Sequence, residues 1–598
     1  MTEMPPTAYR IDNPEEFARN VLRFFEQGGR AMSELLERPD AKISPYSAAS
    51  EMTDAVETLG DIARLWLTDP AKLAEAQGTL VTSYIDLWNA SIRRLLGEKV
   101  APVAEPDPSD NRFKDPEWSS NPYFDFLKQA YLLTTHWAED VLHQTEGLDD
   151  ATRHKAEFCL RQVSSALSPS NFPMTNPEVV RETFATNAEN LVKGMAHLVS
   201  DMEKSGDLLK ISQTDTSAFE VGRNLATTPG KVVFENDIFQ LVQYAPTTDK
   251  VREVPLLVIP PWINKYYILD LTPPKSYLKY AVDQGFTVFV VSWVDPDERL
   301  AHKSFEDYML EGVLTAADAV TRETGIEKIN VVGYCVGGTL LGSTLAYLAA
   351  RGEEPFRSVT FLTTQLDFSK AGDLLLFTSD SQLSQLTAMM SERGYLDGSR
   401  MANVFNMMRP RDLIWPYIVN NYLLGKRPFP FDLLYWNQDS TRMPAANHGF
   451  YLREFYNENK LAKGEMSLAG VKLDLKKVKV PVFELATKED HIAPAKSVFI
   501  GSKLLGGPVE FVLAGSGHIA GVVNPPDKMK YQFWTANKAA ADTLEEWIGM
   551  AKEHPGSWWP YWTEWLTKHS GAWTIPREPG EHLGVIEAAP GRYVKGKT

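Results

Sequence analysis

Residues 328–350 read KINVVGYCVGGTLLGSTLAYLAA, and this stretch decides the fold. Ile329–Tyr334 is a β-branched, apolar run of strand length, and Thr339–Ala350 has the apolar spacing of a helix. Between them Gly-x-Cys-x-Gly-Gly, Gly333 to Gly338, leaves no room for a loop. The strand must turn directly into the helix, which places the residue at the tip in strained backbone geometry. Side chains two positions to either side would strike the helix, so glycine is needed there. A buried cysteine in an ordinary strand–helix turn is the simpler reading. The alternative is that Cys335 is a nucleophile on that tip. The helix amino end would then favour its thiolate and present amides to an oxyanion.

The surrounding chain favours the second reading. Strand-like runs occur at Lys231–Phe234, Phe239–Tyr244, Leu256–Ile259, Thr287–Ser292, Val359–Thr363, Val480–Leu485 and Val509–Leu513. Several are continuously apolar and most are separated by helical stretches, as in a parallel sheet covered on both faces. With a nucleophile at a strand–helix elbow, this predicts an α/β fold of the α/β-hydrolase type, in which an acid and then a base follow later strands. Asp490 (ATKEDHIAP, 486–494) follows one strand and His518 (AGSGHIAG, 514–521) follows the next. Glu489 is the alternative acid, less favoured because Asp490 opens the loop. His491 is read as a structural neighbour. The oxyanion donors are expected to be the backbone amide of Val336 and one from Pro260–Tyr266. Pro260 and Pro261 have no N–H, which leaves Trp262 or Ile263, of which Ile263 is chosen.

More than a hundred residues separate Val359–Thr363 from Val480–Leu485, too many for an ordinary connection. Residues from about 366 to 478 are read as a cap insertion within a catalytic domain spanning 216–598. Residues 1–215 read as an all-helical amino-terminal domain, with helices over Pro14–Ser33, Ala48–Leu67, Pro70–Leu96 and from Tyr123 to about Met202. One proline-rich connector, Ala101–Pro122, interrupts it.

Composition narrows the function. The chain has 598 residues and a net charge of −17, which argues against nucleic acid as a partner. Two cysteines exclude a disulfide framework and a cysteine-rich zinc site. No histidine pair has ligand spacing, so no metal is expected; His448 is read as a surface residue and Cys159 as a small core residue. No run is long and apolar enough to span a bilayer, and Met1–Asn20 lacks the apolar run of a signal peptide. A cytoplasmic location is expected.

Cysteine in place of serine has a chemical consequence. Exchanging one thioester for another keeps the acyl group activated for a second acceptor, which favours acyl transfer over hydrolysis. Such an enzyme needs a covered site, since water competes for the acyl group.

The sequence resembles the class I polyhydroxyalkanoate synthases over nearly its whole length. The matching stretches are FKDPEWSSNPYF (113–124), PPWINKYYILDL (260–271), GYCVGG (333–338), FDLLYW (431–436), KEDHIAP (488–494), SGHIAGVVNPP (516–526), GSWWPYWTEW (556–565) and VIEAAPGRYVK (585–595). SWVDP (292–296) departs from the family, which more often has Arg-Asn before the proline. The resemblance implies an acyltransferase that polymerises (R)-3-hydroxyacyl-CoA, chiefly 3-hydroxybutyryl-CoA, through a covalent Cys335 thioester. CoA is a released product and no cofactor is implied. His518 becomes the general base, and Asp490 orients it or helps to activate the 3-hydroxyl. Asp270 and Trp436 fall in shared motifs near the pocket, with a structural role as the alternative for each. Arg409 is a candidate for CoA phosphates, with a solvated or salt-bridged arginine as its alternative. The resemblance also implies a homodimer at the surface of cytoplasmic polymer granules, with the growing polyester and granule-surface proteins as partners. Trp558, Trp559, Trp562 and Trp565 are expected to pack the last helix onto the sheet. A cysteine-type α/β-hydrolase, of the thioesterase or dienelactone hydrolase kind, explains the same three residues. It leaves the helical region and the insertion without a purpose.

Overall fold

The computed structural model describes residues 9–37, 58–60, 62–67, 69–205, 211–537 and 541–596. The chain divides into two compact units. One comprises Met1–Asp215 with Asn403–Pro430, and the other Thr216–Ala402 with Phe431–Thr598.

The first unit is helical: α1 (Pro14–Glu37), α2 (Pro70–Leu95), α3 (Pro122–Gln144), α4 (Asp150–Ala166), α5 (Pro177–Ala185) and α6 (Glu189–Ser205). Three of these start in the same way. Asp69, Asn121 and Asn176 each accept a backbone N–H of the first turn, and proline follows at the first helical position. The expected helix over Ala48–Leu67 lies partly outside the described residues; 58–60 and 62–67 are helical. The connector 101–122 is more ordered than its prolines suggest. It contains the short helix Glu117–Ser120, and its Phe113 and Trp118 are buried in a cluster with Phe124 and Leu132.

Asn403–Pro430, taken from within the long insertion, is bound into this helical unit by side chains reaching its backbone. Gln162 Nε2 donates to Met407 O (2.8 Å), Asn190 Nδ2 to Leu423 O (2.8 Å) and Asn421 Nδ2 to Ser212 O (2.6 Å). Tyr422 O passes so close to α6 that a Cβ built on Gly194 would fall 1.9 Å from it.

The second unit is built on an 11-stranded sheet. Its strands are β1 (Gly230–Glu235), β2 (Phe239–Tyr244), β3 (Leu256–Ile259), β4 (Val288–Trp293), β5 (Ile329–Tyr334), β6 (Phe356–Leu362), β7 (Val482–Thr487), β8 (Val509–Ala514), β9 (Gln532–Thr535), β10 (Lys552–Pro555) and β11 (Glu587–Ala588). They lie in the order β10-β9-β8-β7-β6-β5-β3-β4-β2-β1-β11. The six central strands from β8 to β4 pair in parallel, and antiparallel strands extend both ends. This is the α/β arrangement expected from the sequence. The outer strands β9, β10 and β11 had no apolar run to announce them.

β3 and β5 are buried along their full length. They bring the loop after β3 and the turn after β5 to the same edge of the sheet, where parallel α/β folds place their sites. The turn after β5 leads into α7 (Val336–Arg351), which is buried on all sides from Val336 to Leu348 and closed by Gly352. Near the end of the chain, α8 (Trp559–Lys568) packs on the sheet through aromatic residues. Trp558, Trp559 and Trp562 are fully buried; Trp565 is half-buried against Phe483. Each buried indole also has an acceptor: Gly521 O (2.9 Å), Val522 O (2.9 Å) and Thr360 Oγ1 (3.0 Å) respectively.

Candidate active site

Cys335 sits at the junction of β5 and α7 with φ 51° and ψ −125°, a conformation that costs a non-glycine residue free energy. Its backbone N–H is tied to Leu362 O at the end of β6 (2.9 Å), and its carbonyl accepts from Gly338 and Thr339. The glycines fill places that no side chain could occupy. A Cβ on Gly337 would lie 2.4 Å from Pro260 O, and one on Gly338 1.9 Å from Thr364 Oγ1. The contact at Gly337 also sets the start of the loop after β3 directly against the elbow. Cys335 remains partly accessible, in contrast to the buried Cys159.

His518 and Asp490 follow β8 and β7 and meet at 2.7 Å, His518 Nδ1 to Asp490 Oδ2. Glu489 is not the partner. Asp490 Oδ2 also accepts from Thr487 Oγ1 (3.0 Å), and Oδ1 from the amides of Ile492 (2.8 Å) and Ala493 (2.9 Å). An acceptor so used is a carboxylate, so Nδ1 carries the proton and Nε2 is left for Cys335. The Cys335 sulfur lies near enough to the imidazole to influence its charge. Burial opposes a charge on His518, but Asp490 and the neighbouring Cys335 sulfur outweigh it and push its pKa up to about 10. The raised pKa makes His518 the stronger base of the site, and it stands beside the Cys335 sulfur. Tyr334 stacks on the imidazole (5.6 Å, 20° between planes) and donates to His518 O at 3.3 Å. Trp558 and Trp559 brace the same loop through Gly521 and Val522.

Val336 opens α7, where the first amides have no acceptor within the helix. Ile263 lies in the buried loop that starts against Gly337. Two residues that the sequence did not bring forward also belong here. Tyr451 and Tyr456 lie on a helix that widens to π geometry over Tyr451–Asn457, a distortion common at functional sites. Both are buried. Burial foremost, with Cys335 nearby, raises both hydroxyls well above the ordinary phenol range. The signal in the sequence was a tyrosine pair in an insertion read only as cover.

The three pocket candidates each have partners of their own. Asp270 is fully buried and accepts from Thr228, Ser276 (2.6 Å) and Tyr244 (3.5 Å), and burial raises its pKa. Trp436 is buried in the core and donates to Lys265 O at 2.7 Å. Both contacts match the structural alternative. Arg409 belongs to the helical unit, half-exposed and paired with Asp412 at 2.7 Å.

His448, expected at the surface, is 1% exposed. Its helix, Ala445–Phe450, is anchored by Ala445 and Ala446 amides donating to Gly394 O and Ala301 O, which turns this face inward. Burial without a partner lowers its pKa to about 4, so it is neutral near pH 7.

Fold and geometry together define a chain of the α/β-hydrolase class with cysteine at its elbow. The profile described as alpha/beta hydrolase fold matches residues 255–525, and the one described as Poly-beta-hydroxybutyrate polymerase (PhaC) N-terminus matches residues 109–281. The poly(3-hydroxyalkanoate) polymerase subunit PhaC of Rhizobium meliloti is 53% identical over 98% of this chain and 96% of its own. The poly(3-hydroxyalkanoate) polymerase of Methylorubrum extorquens is 55% identical over 92% of this chain and 91% of its own. The Cupriavidus necator polymerase subunit PhaC is 42% identical over 88% and 89%. The chain belongs to the poly(3-hydroxyalkanoate) polymerase family.

Proposed function

We propose that this protein polymerises (R)-3-hydroxyacyl-CoA, chiefly 3-hydroxybutyryl-CoA, into polyhydroxyalkanoate with release of CoA, as a class I synthase. The observation that carries this reading is Cys335, held at φ 51° beside a histidine whose other nitrogen is bound to a carboxylate.

In the first step the Cys335 thiol proton passes to His518 Nε2, and Sγ attacks the thioester carbonyl. The amides of Val336 and Ile263 hold the oxyanion. Collapse expels CoA, which takes the proton from His518, and leaves the acyl group on Cys335. In the second step His518 removes the proton from a 3-hydroxyl, whose oxygen attacks the acyl-Cys335 thioester. An ester bond forms, the carbonyl–sulfur bond breaks, and the Cys335 sulfur takes the proton back from His518. Asp490 orients His518 and balances the imidazolium in both steps. No cofactor takes part. Tyr451, Tyr456 and Phe368, mutually packed, supply the cover that keeps water from the acyl-enzyme.

The chain works as a homodimer on the surface of cytoplasmic granules, with the polyester and granule-surface proteins as partners. One observation supports a surface role for the helical unit. Helix α2 exposes Val81, Ile85, Trp88, Ile92 and Leu95 along one stripe. Among the described residues no helix is long and apolar enough to cross a membrane.

The test follows thiol release from (R)-3-hydroxybutyryl-CoA together with turbidity, for the wild type and Cys335→Ala. Release with growing turbidity, both lost in the variant, supports the reading. Release with soluble monomer as product means a thioesterase and overturns it, and release that survives Cys335→Ala removes Cys335 from the mechanism.

A further inference from the structure

The loop after β3 that carries the proposed Ile263 donor is pinned by a second segment, Trp436–Thr441, at Trp262, Asn264, Lys265 and Tyr267. Thr441 Oγ1 donates to Trp262 O at 3.0 Å. Asn264 and Ser440 form an isolated antiparallel bridge. Trp436 Nε1 donates to Lys265 O at 2.7 Å. Asp439 then binds two side chains of the loop, Lys265 Nζ at 2.6 Å through Oδ1 and Tyr267 OH at 2.9 Å through Oδ2. The end of the chain joins in: Lys265 Nζ also donates to Gly596 O at 2.5 Å. Lys265 is only 5% exposed, a burial that a lysine tolerates only with its charge paired.

On its other side the same loop touches the elbow. Pro260 O lies against Gly337 and also accepts from Trp293 Nε1 at 2.9 Å. The loop is therefore clamped between α7 and the Trp436–Thr441 strap, and its two prolines restrict the backbone between the clamps. An oxyanion donor must be held in place before the charge develops, because its contribution depends on geometry fixed in advance. A surface loop of this length would not hold an amide to that tolerance unaided.

We propose that Lys265 and Asp439, with Tyr267 and the Gly596 carbonyl, are positioning residues that fix the backbone amide of Ile263 for the oxyanion. None of them touches the reacting atoms; they act through the loop. This rests on the polymerase reading above, and deepens it by assigning the FDLLYW…Asp439 segment a role in the acylation step.

The experiment compares two reactions of Cys335 in the full-length protein. CoA release from (R)-3-hydroxybutyryl-CoA passes through an oxyanion. Alkylation of Cys335 by iodoacetamide, followed by peptide mass, needs the thiolate and His518 but no oxyanion donor. Asp439→Asn, which keeps the shape and removes the charge, is expected to lower kcat about 10-fold, and Lys265→Met about 10- to 100-fold. KM and the alkylation rate should stay within about 2-fold of wild type, since neither reports on the oxyanion. Tyr267→Phe, a milder change of the same cluster, is expected to lower kcat about 2- to 5-fold. Equal losses of turnover and alkylation would mean a general disturbance of the fold and would overturn the proposal. So would unchanged kcat in both Asp439→Asn and Tyr267→Phe. The proposal also falls separately from the polymerase reading: turnover lost in Cys335→Ala but intact in these variants rejects only the positioning role.

Discussion

Helix α2 and the β5–α7 hairpin are both long, apolar-rich stretches, yet they end on opposite terms with solvent. From Ile329 to Leu348 every side chain except that of Cys335 is buried. On α2, Trp88 is 60% exposed and Leu95 67%. The first stretch is determined by its own neighbours: strands on both sides, Pro260 O against Gly337, Thr364 against Gly338. The second completes only part of its packing within the unit and leaves an apolar stripe facing outward. The difference separates a stretch whose packing is completed within the fold from one that leaves apolar side chains uncovered, and it can be broken or sharpened by substitution.

The largest effect is expected at the site. Asp490→Asn keeps the shape but no longer stabilises the imidazolium or fixes its tautomer, and should lower kcat about 10²- to 10⁴-fold. It should also change the pH dependence of stability. His518 has a raised pKa in the folded protein, about 10 against 6.5. Its contribution is thus full below pH 6.5 and lost as the pH rises through about 10. Denaturation across that window should show a falling stability for the wild type and a flatter course for Asp490→Asn.

Next comes Gly337→Ala. The added Cβ meets backbone oxygens of Ile259 and Pro260, which cannot rotate away. A loss of about 1–3 kcal/mol is expected, read as a lower melting temperature. An unchanged melting temperature would mean that the elbow is looser than these distances imply. His448→Leu probes the sheet unit more gently. The pKa of His448 is lowered to about 4 by burial, so its neutral form stabilises the fold above pH 6.5. That contribution is lost as the pH falls through about 4. The variant should hold its stability better than the wild type in acid titration.

The smallest effect on the fold is expected on α2. Ile85→Ser and Trp88→Ser should change stability by only about 0.5 kcal/mol, because the side chains are already half in water. Their effect should instead be on self-association and granule binding, read by sedimentation and by co-sedimentation with polymer. A large drop in melting temperature would show that the stripe serves the unit itself, and the contrast with β5–α7 would disappear.

The sequence was legible where the chain's own spacing dictated a contact. The six parallel strands announced themselves as apolar runs, and Cys335, Asp490 and His518 followed from their order after strands. The outer strands were not legible, because β10 is largely solvent-exposed and edge strands need no apolar face. Nor was the division of the insertion, since Asn403–Pro430 is bound into the helical unit by polar side chains reaching backbone carbonyls, which carry no periodic signal. Asp270 and Trp436 lie in conspicuous motifs for structural contacts. Tyr451 and Tyr456 went unread because only tertiary folding brings them near Cys335.

The most direct test of the central claim is an acid quench of the full-length protein during turnover of (R)-3-hydroxybutyryl-CoA, with mapping of the acylated peptide. The account predicts hydroxyacyl mass on the peptide carrying Cys335, absent in Cys335→Ala and depleted in His518→Gln. Acyl mass on another peptide, or turnover with no acyl-enzyme at any time, would contradict it.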